Sequence, residues 1–230
     1  MGTSMNEQAV RLTRGGLTLE GVLGLPTQAL GRVVFAHGSG SGRFSPRNNF
    51  VARHLQQGSV ATLLLDLLTP DEAEDRRKVF DIDLLADRVL VAKAWLAQDD
   101  RTKGLAIGYF GASTGAGAAL QAAARDPSSI QAVVSRGGRP DLAESYLPTV
   151  TAPTLLIVGG DDEPVIEMNR AAYRLLTCPK RLVIVPGASH LFEEPGTLEQ
   201  VAEHALTWFQ QHFRPAPHEG TGARTKERPR

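Results

Sequence analysis

Cys178 is the only cysteine in the chain, so no internal disulfide is available to hold the fold together. At 230 residues none is required, because a chain of this length buries enough apolar surface to fold as one domain without a covalent staple. Long apolar runs are missing too: the most extended ones, residues 60–68 and 155–158, are too short and too interrupted to cross a bilayer. The first eight residues, Met-Gly-Thr-Ser-Met-Asn-Glu-Gln, lack the basic and apolar blocks of a secretory leader. With the lone cysteine, this predicts a reducing, cytoplasmic compartment. An excess of one charge is absent as well, since 25 Lys and Arg balance 25 Asp and Glu. The composition therefore gives no electrostatic reason to expect nucleic acid or a membrane surface as partner.

Charge is nevertheless uneven. From residue 214 to 230 five basic residues face Glu219 and Glu227, a net +3, with Pro, Gly and Thr between them and no aliphatic side chain larger than alanine. Such a segment cannot bury enough surface to offset its ordering entropy, so residues 214–230 are expected to be a disordered basic tail after a domain spanning 1–213. There is no internal repeat.

Within the domain, apolar runs rich in β-branched residues alternate with helical patterns, which predicts an α/β architecture with a mostly parallel sheet covered on both faces. Residues 10–12 and 17–25 flank Arg14-Gly15-Gly16 and read as an antiparallel hairpin at one edge. Residues 32–36, 61–66, 105–110, 130–135, 154–158 and 181–185 read as buried strands, giving eight strands in all. Ser45-Pro46 marks a helix start, and Thr197 with Gln200 reads as a capping box. Leu198, Val201, Ala205, Trp208 and Phe209 then form one apolar helical face, as ordinary core packing requires.

Residues 105–110 run straight into Gly111-Ala112-Ser113-Thr114-Gly115, a G-x-S-x-G pattern that leaves a strand and enters a helix rich in small residues. A nucleophile elbow needs that context, because a tight turn must lift the serine above the sheet and only glycine neighbours permit the approach. A serine hydroxyl is a weak nucleophile at neutral pH and needs a base within reach. Of the six histidines, His54, His204 and His212 fall in helices, His218 in the tail and His37 in a glycine loop after a strand. His190 alone stands in the turn after the final strand. An acid must then orient the imidazole, and Asp161 and Asp162 both follow the strand at 154–158, where capping the next helix is the competing role and the two roles can coexist, one per aspartate. The order serine, aspartate, histidine is that of the α/β-hydrolases.

At these motifs the sequence resembles the α/β-hydrolase superfamily, and within it the small lidless enzymes of the dienelactone hydrolase kind, over roughly residues 10–213. The matching pieces are Phe35-Ala36-His37-Gly38-Ser39-Gly40, the Gly111 to Gly115 elbow, Gly159-Gly160-Asp161-Asp162 with Val165, and Gly187-Ala188-Ser189-His190. By its spacing in the family pattern the resemblance selects Asp162 as the acid. It also implies an oxyanion hole made by the backbone N–H groups of Ser39 and Thr114, no cofactor, no metal, and a small acyl substrate. Dienelactone hydrolases carry cysteine as nucleophile, so the serine here points toward ordinary ester chemistry. Arg136 and Arg139, after another strand, suit either an acidic substrate group or a surface loop. No long apolar helix can be formed between residues 135 and 153, so the pocket is expected to be lidless, shallow and suited to short acyl chains.

Two other readings compete. Gly38-Ser-Gly40-Ser-Gly42 after a strand, with Asp66 closing the next, resembles a dinucleotide loop, but Arg43 stands where the third glycine belongs. A non-catalytic protein on the hydrolase fold is the other, and the presence of all three triad residue types argues against it.

Overall fold

The computed structural model describes residues 6–214, so the tail expected to be disordered lies, from residue 215 onward, outside the described residues. Eight strands form one sheet in the order β1-β2-β4-β3-β5-β6-β7-β8. The edge hairpin is β1 (Asn6–Arg14) and β2 (Leu17–Leu25), and the turn between them places both Gly15 and Gly16 at positive φ, as a two-residue hairpin loop demands. Strand β1 starts four residues earlier than its apolar pattern indicates, because its first turn-distant residues pair with β2 while remaining largely exposed. Then follow β3 (Gly31–Ala36), β4 (Val60–Leu65), β5 (Ala106–Ala112), β6 (Ile130–Arg136), β7 (Thr154–Gly159) and β8 (Lys180–Val185). These six pair in parallel with one another, while β2 joins β4 antiparallel. Strands β3, β4, β5 and β7 are buried at every position, which is why they read as continuous apolar runs.

Helices α1 (Pro46–Gln57) and α7 (Thr197–His212) cover one face of the sheet. The other face is covered by α4 (Ile82–Gln98) and α5 (Thr114–Arg125), with α6 (Glu163–Leu175) beside β7 and β8. Ser45 caps α1 as its sequence indicates, its hydroxyl accepting the Asn48 N–H. The capping box expected at Thr197 does not form. Gly196, in the left-handed region at φ 80°, takes the cap position, so Thr197 is already helical and its hydroxyl donates to Glu194 O instead. Two short helices, α2 (Pro70–Glu74) and α3 (Arg76–Val79), precede α4 and have no counterpart in the sequence reading. Between β6 and β7 the chain forms only a 3-10 segment, Pro140–Thr149, packed down on α5 and α6 through Ala143 and Leu147, so no cover arises there. None of the helices among the described residues is long and apolar enough to cross a membrane.

The strand order places the site. The chain passes from β3 through α1 to β4 on one side, then returns to lay β5 on the other side of β3. Loops leaving β3 and β5 therefore diverge at their carboxyl ends and leave a crevice between them.

Candidate active site

Ser113 occupies that crevice at φ 51° and ψ −123°, a conformation rarely adopted by a residue with a side chain. The surrounding packing explains how the strain is sustained. The Ser113 N–H donates to Arg136 O at 3.2 Å, and its carbonyl accepts the N–H groups of Ala116 and Arg139, each at 3.0 Å. Both flanking glycines are compulsory: a Cβ at Gly111 would lie 2.4 Å from the Ala116 Cα, and one at Gly115 2.2 Å from the Ala36 carbonyl oxygen. On the facing loop a Cβ at Gly38 would come within 2.9 Å of the Ser113 Cβ.

His190 and Asp162 meet at the same sheet edge, with His190 Nδ1 donating to Asp162 Oδ2 at 2.6 Å. Asp162 is mostly buried and His190 more than a third exposed. Asp162 also holds the N-cap position of α6, but its carboxylate makes no cap hydrogen bond and turns to the imidazole. The two roles thus do not divide one to each aspartate: Asp162 stands at the cap position and its carboxylate serves the histidine. Asp161 is exposed, and its backbone N–H donates to Ala188 O at 3.0 Å, tying the two loops together. The imidazole comes against Gly137, where a Cβ would meet His190 Cε1 at 3.6 Å, one residue beyond the carbonyl that holds the Ser113 N–H. Among the described residues no hydrogen bond joins Ser113 Oγ to His190. Such bonds commonly tighten only when substrate binds.

The sequence reading missed Glu194, whose carboxylate accepts the Ser189 N–H at 3.0 Å and braces the turn before His190. That backbone bond, with the other donors around it, holds the Glu194 carboxyl below the usual carboxylate range. His37 is excluded as a base: Nδ1 donates to Gly38 O at 2.9 Å and Nε2 accepts the Leu67 N–H at 3.0 Å, so both nitrogens are committed. Burial lowers its pKa, opposed in part by the Gly38 bond and Asp66, and it stays neutral as the pin between the β3 and β4 loops.

Of the two expected oxyanion donors, Thr114 sits at the first turn of α5, while the Ser39 N–H is already engaged, donating to Thr114 Oγ1 at 2.9 Å. The Thr114 hydroxyl thus occupies the Ser39 donor as an acceptor, which leaves its own proton available to a further acceptor. Arg136 is no surface residue: it is 7% exposed, and Nε and Nη1 are buried without a partner. Burial, helped by the nearby Arg47, pushes its pKa down to about 10. Arg139 is bound in a fork by Asp141, Nε to Oδ1 at 2.9 Å and Nη2 to Oδ2 at 2.8 Å.

Beside Ser39 and Thr114 opens a cavity of about 390 Å³, walled by Leu68, Val79 and Leu85. The expectation of a shallow pocket does not hold, because α2 and α3 supply a wall from the β4 side that the region after β6 does not. Asp66 also borders this cavity, and Arg43 binds it through both its backbone N–H and its guanidinium, with Glu20 on the other guanidinium nitrogen. An acid needed for a ribose is thereby already taken. Among the described residues no three His, Cys, Asp or Glu side chains are grouped to hold a metal ion.

Fold and crevice together define an α/β-hydrolase. The chain belongs to the dienelactone hydrolase family, whose model matches residues 20–214. It is 57% identical to a dienelactone hydrolase from Anabaena variabilis of known crystal structure, with a TM-score of 0.88 over 91% of this chain and 99% of that one. The Est1E protein of Butyrivibrio proteoclasticus shares the fold at 18% identity, with a TM-score of 0.77 over 89% of this chain and 98% of that one. Two Mycobacterium tuberculosis proteins carrying the provisional name phosphoribosyl transferase are 54% identical over 209 residues, which is 91% of this chain and 47% of theirs. The chain thus spans about half the length of these curated relatives.

Proposed function

We propose that the protein is a serine-dependent hydrolase of small carboxylic esters, with Ser113 as nucleophile, His190 as general base and Asp162 as the acid that orients it. The observation that carries this reading is the strained backbone of Ser113, held at φ 51° by three backbone hydrogen bonds and two compulsory glycines at the edge where Asp162 binds His190. Strain of this kind persists only where the surroundings over-determine it. Ser113 Oγ attacks the ester carbonyl as His190 Nε2 takes its proton, and Asp162 keeps Nδ1 protonated and stabilises the imidazolium. The tetrahedral oxyanion develops against the Thr114 N–H and the Ser39–Thr114 hydroxyl pair. His190 then protonates the leaving alkoxide, and water, activated by the same histidine, hydrolyses the acyl-enzyme.

Phosphoribosyl transfer is the second reading, favoured by the name of the Mycobacterium tuberculosis relatives. That name describes proteins about twice as long, and half of each lies outside the match. Labelling with a fluorophosphonate separates the readings: modification at Ser113, with labelling and ester turnover abolished in Ser113→Ala, is expected of the hydrolase. Labelling elsewhere, or pyrophosphate release from phosphoribosyl diphosphate by the unlabelled chain, overturns it.

A further inference from the structure

We infer that the cavity beside Ser39 and Thr114 is the acyl subsite, and that it selects an uncharged apolar acyl group of medium length, about butanoyl to octanoyl, over acetyl and over acyl groups bearing a carboxylate. This rests on the ester-hydrolase reading.

The direction of the cavity assigns its occupant. In the tetrahedral intermediate the carbonyl carbon holds Ser113 Oγ, an oxyanion, a leaving oxygen and the acyl chain. The oxyanion faces the donors at Ser39 and Thr114, and the leaving oxygen must face His190 to receive its proton. The cavity is bordered by Gly38, Ser39 and Thr114; neither Ser113 nor His190 lines it, but Gly38 packs against Ser113, where an added Cβ would come within 2.9 Å of the Ser113 Cβ, whereas no lining residue packs against His190. It therefore extends away from the departing alcohol, on the side left to the acyl chain.

Its size and walls set the chemistry. A volume of about 390 Å³ lies near the lower end of small-molecule pockets, which run roughly 300–1,000 Å³, so acetyl would leave most of it unfilled. Leu68, Val79 and Leu85 offer the apolar surface that an acyl chain needs in order to gain from burial. No Lys or Arg lines it, and the ionisable side chains that do are Asp66 and the doubly bonded, neutral His37. Arg136 and Arg139 lie outside the lining. A carboxylate on the acyl chain would be desolvated with no lining cation to offset it, because the nearby Arg43 is already engaged by Asp66 and Glu20.

The test is kcat/KM on p-nitrophenyl acetate, butanoate, hexanoate and octanoate, with the anionic succinyl hemi-ester set against the neutral pentanoate. We expect a rise of about fourfold per buried methylene from acetate to hexanoate, and succinyl at least tenfold below pentanoate. Val79→Trp is expected to lower the hexanoate-to-acetate ratio at least tenfold. Val79→Ala, which cannot overcrowd the fold, is expected to move the optimum toward longer chains. A profile flat or falling from acetate, a preference for succinyl, or a ratio that neither variant moves overturns the subsite while acetate turnover and Ser113 labelling leave the hydrolase reading intact. Absence of turnover on every ester, with no labelling, overturns both.

Discussion

The elbow and the helical insert that faces it across the cavity are built by opposite means. Around Ser113, β5 and α5 are buried nearly throughout, and backbone lies against backbone so closely that Gly111 and Gly115 admit no side chain. The insert has no buried residue in α2 or α3. It is held by caps and ion pairs: Thr69 and Glu72 form a reciprocal capping box, Asp75 caps α3, and Arg88 binds Glu72 at 2.8 Å. Steric constraint thus fixes the elbow, while a few exchangeable polar contacts position the wall across the cavity. Substitutions in the first region should be costly to rate or fold, and those in the second should redistribute substrate preference at little cost to either.

The largest contrast lies within the aspartate pair. Asp162→Asn should lower kcat by about four orders of magnitude, the loss that follows when the orienting acid no longer fixes the histidine tautomer. Asp161→Asn, with its side chain in solvent, should change kcat by less than about threefold. Single-turnover kinetics on a neutral ester would check both, and comparable losses in the two variants would mean that the pair acts together.

Packing gives the next effect. Gly115→Ala should destabilise the fold by about 3 kcal/mol, since its Cβ would meet the Ala36 carbonyl oxygen and neither backbone can yield without moving the elbow. Gly117→Ala, whose Cβ would stand 3.1 Å from Arg139 O and Leu142 Cβ, should cost less than about half of that. Urea unfolding midpoints measure the difference, and equal midpoints would show the elbow to be softer than its contacts imply.

The smallest effect belongs to the insert. Thr69→Ala removes the hydroxyl that accepts the Glu72 N–H at 3.3 Å, worth about 1 kcal/mol to a helix start. With no buried residue in α2 or α3, loosening the insert should leave the core intact, so Tm should barely move while KM for hexanoate rises a fewfold more than KM for acetate. A fall in Tm matching that cap energy would tie the insert to the global fold.

The same contrast explains what could be read from the chain. Parallel strands buried on both faces appear as unbroken apolar runs, and the elbow announces itself because a steric requirement leaves glycine at fixed positions. The acid could not be chosen from residues 161 and 162 alone, because an aspartate after a strand is equally suited to a cap. Only the fold brings Asp162 to His190. The insert went unread because residues 70–79 are mostly charged and carry no apolar periodicity, although Thr69-Pro70 with Glu72 is a capping signal in plain view. Glu194 had no signal, since a carboxylate that accepts one backbone N–H leaves no mark on composition or spacing. The cap misplaced at Thr197 follows from Gly196, whose left-handed conformation sequence pattern does not reveal.

Position 113 is constrained in its backbone, which three hydrogen bonds hold in the left-handed region. Its neighbours are frozen as well, since an added carbon at Gly111 or Gly115 collides with main chain, whereas the Ser113 hydroxyl makes no cap hydrogen bond to the helix it begins. Serine and cysteine side chains differ by one atom. An exchange of oxygen for sulfur at position 113 would therefore leave the steric frame of the elbow in place.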